Sequence, residues 1–194
     1  MKLINNLKIK PLFLYFPVVI ILIAACKKEV LTNEQPDVDI HAVVINELLA
    51  SNSNSTADAN NEYDDWIELY NTTNTAVDLS GYYLSNDAEN IQKWSFPEGT
   101  IIEANDYLMI WADKDLDQPG LHTSFKLTKS GATLFFSNVQ ETILDETTFT
   151  AQVSDVSWGR YENGTGPFIQ MSPTYKSKNS GPVSNPNNKA IRQQ

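Results

Sequence analysis

The sequence predicts an all-β protein, an antiparallel β-sandwich, on three observations. About eight or nine short segments alternate between apolar and polar residues, as strands with one buried face do. Clusters of Gly, Pro, Asn, Asp and Ser, which favour turns, separate these segments. No stretch shows a convincing helical period. Several short strands with turn signals between them are typical of a sandwich of two sheets.

Residues 64–71 are predicted to form the central strand. Ile67 and Leu69 fall on one face, and Trp66, Glu68 and Tyr70 fall on the other, because strand side chains alternate. We expect Trp66 to be a core residue. A buried carboxylate must be hydrogen-bonded, so Glu68 is expected to hold a neighbouring loop. The alternative, a general acid with a raised pKa, requires a second catalytic group that the sequence does not supply.

The other strands follow in chain order from the same alternation. Gly81 marks a bulge within one of them, and the strand that begins at Tyr107 is apolar on both faces and should be well buried. From Lys176 onward the chain is Ser, Asn, Pro and Lys, which predicts disorder, assigned to residues 180–194. The strands are expected at residues 41–50, 76–84, 91–96, 107–112, 125–127, 134–136, 143–144, 153–160 and 168–169.

Composition and charge limit the classes of partner. The chain has 194 residues, of which 41% are hydrophobic, so it can build a core as one domain. Residues 1–25 contain three Lys and no acid, which leaves 11 basic and 24 acidic residues and a formal charge of −13 beyond them. Such a surface repels phosphate backbones, so no nucleic-acid partner is expected.

Residues 1–25 are predicted to be a signal peptide. Lys2, Lys8 and Lys10 precede an apolar run at residues 11–25. This run is shorter than the roughly 20 residues that a membrane span needs. It ends in small residues, as secretory signals do.

The run Ile23-Ala24-Ala25-Cys26 resembles a bacterial lipobox, in which the peptide is cut before the cysteine and the cysteine is then acylated. Cys26 is the single cysteine of the chain, so no intrachain disulfide can form. The alternatives are an ordinary signal peptide with an incidental Cys, or an uncleaved anchor. Several acyl chains would anchor the protein stably. Residues 26–39 are then the lipidated Cys with a flexible tether. The expected location is the cell envelope, at the outer membrane.

Two acidic segments raise the question of a metal. Glu62, Asp64 and Asp65 are weak Ca²⁺ candidates, because oxygen-rich loops can bind this ion. Residues 113–117 also carry alternating acids, but Gln118 stands where an EF-hand loop needs Gly. A solvated loop is the expected outcome in both places, so no metal or other cofactor is predicted.

The sequence offers little catalytic machinery. His41 and His122 lie in no recognisable Ser or Cys motif. A zinc site would need more Cys or His, and no glycine-rich phosphate loop is present. Paired carboxylates for sugar hydrolysis stay open, because acids are plentiful and their separation in space is not given by sequence. The chain is therefore predicted not to be an enzyme.

Four motifs stand out, at residues 44–47, 65–71, 78–85 and 156–160. Together they resemble the lamin tail domain, an immunoglobulin-like β-sandwich found in nuclear lamins and in bacterial envelope and secreted proteins. The resemblance covers about residues 40–179, and Ser172-Pro173-Thr174 with Asn179 is similar to the family's closing motif. Asn105-Asp106 stand where the family has Gly, and Tyr175-Lys176 where it has Pro and Gly. The resemblance implies structural roles, and no catalytic ones, for the motif residues Asn46, Glu47, Trp66, Glu68, Asn71, Gly81, Gly159 and Arg160.

These observations favour a lipid-anchored, non-catalytic envelope module that binds a protein or glycan through loops on a rigid sandwich. One alternative is an accessory lipoprotein that scaffolds a secreted hydrolase. The other is a carboxylate-dependent hydrolase.

Overall fold

The computed structural model describes residues 42–182, which form eleven β-strands in two main sheets. One sheet has five strands in the order β11-β10-β1-β2-β7, the other has four in the order β5-β4-β8-β9, and β3 pairs with β6. All pairs of named strands are antiparallel. The strands are β1 Val43–Leu49, β2 Trp66–Asn71, β3 Val77–Asp78, β4 Tyr83–Ser85, β5 Trp94–Ser95, β6 Ile101–Ile102, β7 Tyr107–Trp111, β8 Gly131–Ser137, β9 Ile143–Thr150, β10 Ser157–Arg160 and β11 Phe168–Met171.

The prediction of an all-β, immunoglobulin-like antiparallel sandwich is confirmed. Within residues 42–182, no helix is long and apolar enough to span a membrane. The predictions for residues 1–39, His41 and residues 183–194 lie outside the described residues.

Several strand predictions need correction. The middle strand of the larger sheet is β1, with β2 beside it. Residues 76–84 are split into β3 and β4, because Gly81 adopts a φ of +74° and turns the chain. Residues 125–127 form no named strand and contribute only an isolated bridge between Lys126 and Asp113. Strand β6, only two residues long, was not predicted.

The core lies between the two sheets. The five-stranded sheet contributes four side chains to it: Ile45 and Leu48 of β1, and Ile67 and Leu69 of β2. The facing side chains from the four-stranded sheet and its neighbours include Leu84, Leu134, Phe136, Leu144 and Phe149.

A bulge in β1 decides which of its side chains enter this core. Ile45 pairs with Leu69 and Glu47 pairs with Glu68, so Asn46 is an extra residue in β1. A strict alternation would put Glu47 on the same face as Ile45, whereas one extra residue turns Glu47 outward and Leu48 inward.

The outer face of the five-stranded sheet carries a second apolar cluster of Leu49, Trp66, Met109 and Trp111. The segment at residues 172–182, here called the strap, covers it. The Tyr175 ring meets Trp66 edge-on at 6.2 Å between ring centroids and stacks on Trp111 at 6.1 Å. The strap ends at Pro182, which bridges to Met171. Residues 176–182, for which the composition predicted disorder, are therefore part of the folded domain.

Replacing Trp66 with Ala should lower the free energy of unfolding by about 3–5 kcal/mol, because Trp66 is fully buried in the second cluster. Urea denaturation of the purified protein would measure the change. The control is Val153→Ala, at a side chain that is 57% exposed. A loss below about 0.5 kcal/mol for Trp66→Ala would contradict the packing described.

Candidate functional site

Two fully buried glutamates lie directly opposite each other beneath the strap. Oε1 of Glu68 accepts a hydrogen bond from Nδ2 of Asn46 at 2.9 Å, and its Oε2 accepts one from the Lys176 N–H at 2.8 Å. The carboxylate of Glu47 accepts bonds from the N–H of Thr174 at 3.1 Å and from its hydroxyl at 2.6 Å. The sheet's acids therefore hold the strap through its own backbone and hydroxyl donors.

Asn179 also belongs to this hydrogen-bond network. Its Nδ2 donates to the carbonyl of Arg160 at 2.6 Å and to that of Asn46 at 3.3 Å. Its backbone N–H donates to Oδ1 of Asn163 at 2.8 Å. A Cβ at Gly159 would lie 3.0 Å from Cγ of Glu47 and 3.1 Å from Nδ2 of Asn179. Glycine at this position thus lets the strap and the sheet approach closely.

Burial raises the pKa of both glutamates. Desolvation raises the pKa of Glu68 to about 8; the hydrogen bond from Asn46 offsets part of this, and the charge of Glu47 adds to it. Desolvation also raises the pKa of Glu47, against the hydrogen bonds from Ser157 and Thr174. Like charges at close range and removal from water both favour the neutral acid. The strap covers the pair, so neither carboxyl group is exposed to solvent.

Arg160 joins the two sheets. Its Nε donates to the Ile45 carbonyl at 2.9 Å, and its Nη2 lies 2.8 and 3.0 Å from the two carboxylate oxygens of Asp145 on β9. Asp145 also accepts the Ile45 N–H at 2.8 Å. The guanidinium lies 4.5 Å from the centroid of the Phe168 ring. A pocket of about 390 Å³ opens beside this pair, lined by Val44, Thr72, Asp145, Arg160, Gly164 and Thr165.

The structure thus brings five of the motif residues into one connected region: Asn46, Glu47, Glu68, Gly159 and Arg160. The other three lie apart. Trp66 is in the apolar cluster and Gly81 is at a turn. Asn71 is buried, and its Nδ2 donates to the carbonyls of Thr75, Glu103 and Ile102 at 2.7, 3.0 and 3.2 Å, so it ties the turn after β2 to the chain after β6.

Asp145 and Asn163 belong to the same region and were missed. The sequence signal that could have identified Asp145 is an acid within an otherwise alternating strand. Asn163 donates to the hydroxyl of Tyr107 as well as accepting from Asn179. Its position between Glu162 and Gly164 indicates only a loop. Cys26 lies outside the described residues.

Acidic side chains from two loops meet at a different place. Asp58, Glu62 and Asp64 form one group, and Asp64, Asp113 and Asp115 form a second; in each group one carboxylate oxygen per residue lies within 4.8 Å of the others. Of the predicted candidates, Glu62 and Asp64 are therefore together. Asp65 lies outside both groups, and its Oδ1 accepts the Asn52 N–H at 3.2 Å. Burial raises the pKa of Asp65 to about 6.

His122 contacts the second acidic group through Asp113. Its Nδ1 lies 2.6 Å from Oδ2 of Asp113, and its Nε2 lies 3.3 Å from the Pro119 carbonyl. Both side chains of the His–Asp pair are buried. The pair orients Asp113 and does not present the imidazole to solvent.

A family model described as Lamin Tail Domain matches residues 38–159, which is more than half of the chain. A search of curated proteins gives no match. The match ends within β10, so β11 and the strap lie beyond it.

Replacing Glu68 with Gln should flatten the pH dependence of stability. The pKa of Glu68 is about 8 in the folded protein against an ordinary value of 4.5. Its stabilising contribution is therefore fully present below about pH 4.5 and is lost as the pH rises through about 8. Removing the group should reduce the slope by up to about 1.4 kcal/mol per pH unit between these limits.

The measurement is urea denaturation at a series of pH values from 5 to 9, with the exposed Glu98→Gln as the control. The readout is the slope, because Gln also changes the hydrogen bonds at this position. Equal slopes for wild type and Glu68→Gln would contradict the raised pKa.

Asn179→Ala should cost about 1–3 kcal/mol, since it removes the donor to two carbonyls and leaves them buried without it. Chemical denaturation against Asn90→Ala, an exposed position, would check this. A loss no larger than that of the control would mean that the strap does not depend on Asn179.

Proposed function

Because the chain belongs to the lamin tail domain family, we propose that it is a non-catalytic interaction module that binds a protein or glycan in the bacterial cell envelope. The observation that carries this proposal is how its polar motif residues are used. Glu47, Glu68 and Arg160 are bonded to groups of the chain itself. Side chains that bond to the chain itself stabilise the scaffold, and the loops are then the parts that can contact a partner.

The acidic loops are the proposed contact surface. Tyr63 and Leu116 belong to them and are 48% and 59% exposed, which is high for large apolar side chains. The acids around them favour a partner with a basic surface.

A carboxylate-dependent hydrolase would need an acid pair that a substrate can reach. Glu47 and Glu68 are buried and bonded to the strap. This supports the proposed non-catalytic role. Hydrolysis of a glycan by the purified protein, lost in Glu68→Gln, would show that the protein is a hydrolase instead.

We also propose that the lipid on Cys26 anchors the module in the envelope through the tether at residues 26–39. Wild-type protein expressed with an alkyne-labelled fatty acid should carry the label and sediment with membranes. Cys26→Ser should lose the label, because no other thiol is present. Labelling that survives in Cys26→Ser would contradict lipidation there. Membrane binding of wild type without label would indicate an uncleaved signal anchor instead.

Crosslinking on intact cells, followed by mass spectrometry, tests the interaction. We expect one dominant envelope protein or glycan to be recovered with wild type. Recovery should fall at least tenfold for Tyr63→Ser combined with Leu116→Ser. It should persist for Ile101→Ser combined with Val153→Ser, at exposed apolar positions in other segments. Equal recovery with both double variants would place the contact elsewhere, and no specific partner would contradict an interaction role.

A further inference from the structure

Strand β9 is an edge strand with a free side. It is the longest of the eleven strands, with eight residues, and it pairs with β8 at the end of the four-stranded sheet. Among residues 42–182, no strand pairs with its other side. Natural edges are commonly blocked by Lys, Pro or a bulge. Residues 146–150 contain no Lys or Pro, and the irregularity in the β8–β9 pairing lies before them. This part of the edge can therefore accept another strand.

Two hydrogen bonds show which backbone groups of β9 point to the free side. The Glu146 N–H donates to Oδ1 of Asp145 at 2.9 Å and not to β8. Thr150 pairs with Gly131, whose N–H is bonded within its own turn. Bonded and non-bonded pairs alternate along an antiparallel ladder, so Glu146, Thr148 and Thr150 are non-bonded positions. Their carbonyls, and the N–H groups of Thr148 and Thr150, therefore face away from β8.

Two aromatic rings of the other sheet lie beside this edge. Nε1 of Trp158 on β10 donates to the Thr147 hydroxyl at 3.2 Å, and the Phe168 ring on β11 stacks on Trp158 at 6.1 Å between centroids. Both rings pack against the core and are only partly buried. Asp145 of β9 accepts the Ile45 N–H of β1, and β10 and then β11 follow β1 outward in the sheet. Strand β11 therefore extends past β9.

The space beside β9 fits one added strand. Such a strand would lie about 5 Å beyond β9, next to the rings of Trp158 and Phe168. In a pair of copies joined through β9, the β11 strands would overlap, because each extends past its own β9. Each copy also carries a formal charge of −10, so two copies repel each other. A single extended segment meets neither obstacle.

We propose that the free edge of β9 binds an extended segment of a partner protein by strand addition. Because strand side chains alternate, every second one would contact Trp158 and Phe168 and should be apolar, while basic or polar side chains lie next to Glu146. In such complexes the main-chain bonds supply affinity and the alternate side chains supply specificity. None of these residues belongs to the acidic loops, so this is a separate binding site and its test is independent of theirs.

Hydrogen exchange followed by NMR on the purified protein tests whether the edge is free. The amides of Thr147 and Phe149 face β8 and should exchange slowly, whereas those of Thr148 and Thr150 should exchange at least about tenfold faster. Equally slow exchange at all four positions would overturn the proposal, because the edge would already be covered by the chain itself. Protection of Thr148 and Thr150 that rises with protein concentration would overturn it in favour of a second copy.

A short synthetic peptide that alternates Val and Lys, with blocked ends, is the probe for binding. We expect it to shift the resonances of the Thr148 and Thr150 amides and of the Trp158 indole, and to slow exchange of the two amides. Two further versions carry N-methyl groups on alternate amides, one at Val and one at Lys. Only one set of amides faces β9, so one version should bind at least about tenfold more weakly than the other. Equal binding of these two peptides, which have the same charge, would overturn strand addition.

Thr148→Pro removes one outward N–H, and Pro is tolerated on an edge strand where the N–H makes no ladder bond. This variant should bind the unmethylated peptide at least about tenfold more weakly, whereas Thr148→Val, which keeps the N–H, should bind it as wild type does. Thermal melting checks that both variants fold. Unchanged binding by folded Thr148→Pro would overturn the proposal, and the methylated peptides give the same decision on the unaltered protein.

Discussion

The extra residue at Asn46 decides which side chains of β1 face the core and which face the strap. It turns Glu47 outward to face Glu68 and keeps Ile45 and Leu48 in the core. Nδ2 of Asn46 then bonds Glu68, and its Oδ1 accepts the Gly164 N–H at 3.0 Å. A bulge without such bonds would cost stability, since its polar groups would be buried unpaired.

The buried acids explain why the folded domain continues beyond the family match. Trp66 and Trp111 would be exposed on the outer face of the sheet without the strap, and the two glutamates would face water. The strap supplies Tyr175 to the first pair and N–H groups of Thr174 and Lys176 to the second. Apolar and polar contacts thus act on the same short segment.

Alternation in the sequence was enough to predict the sandwich, strand β2 and the burial of Trp66. Register was not predictable, because period-two counting from Ile45 puts Glu47 in the core and only the bulge reverses it. The composition from Lys176 onward is typical of disorder, and composition does not reflect long-range bonds such as that from the Lys176 N–H to the buried Glu68. Asp64 meets Asp113 and Asp115 only through loop geometry, so this group could not be predicted from spacing.

Buried glutamates make the strap part of the fold. Native-state hydrogen exchange followed by NMR can check this at the amides of Thr174, Lys176 and Asn179, with those of β2 as the reference. The strap amides should exchange slowly, through the same opening that exposes β2, since their acceptors are Glu47, Glu68 and Asn163. Exchange of the strap amides at the rate of an unstructured peptide, while β2 stays protected, would contradict it.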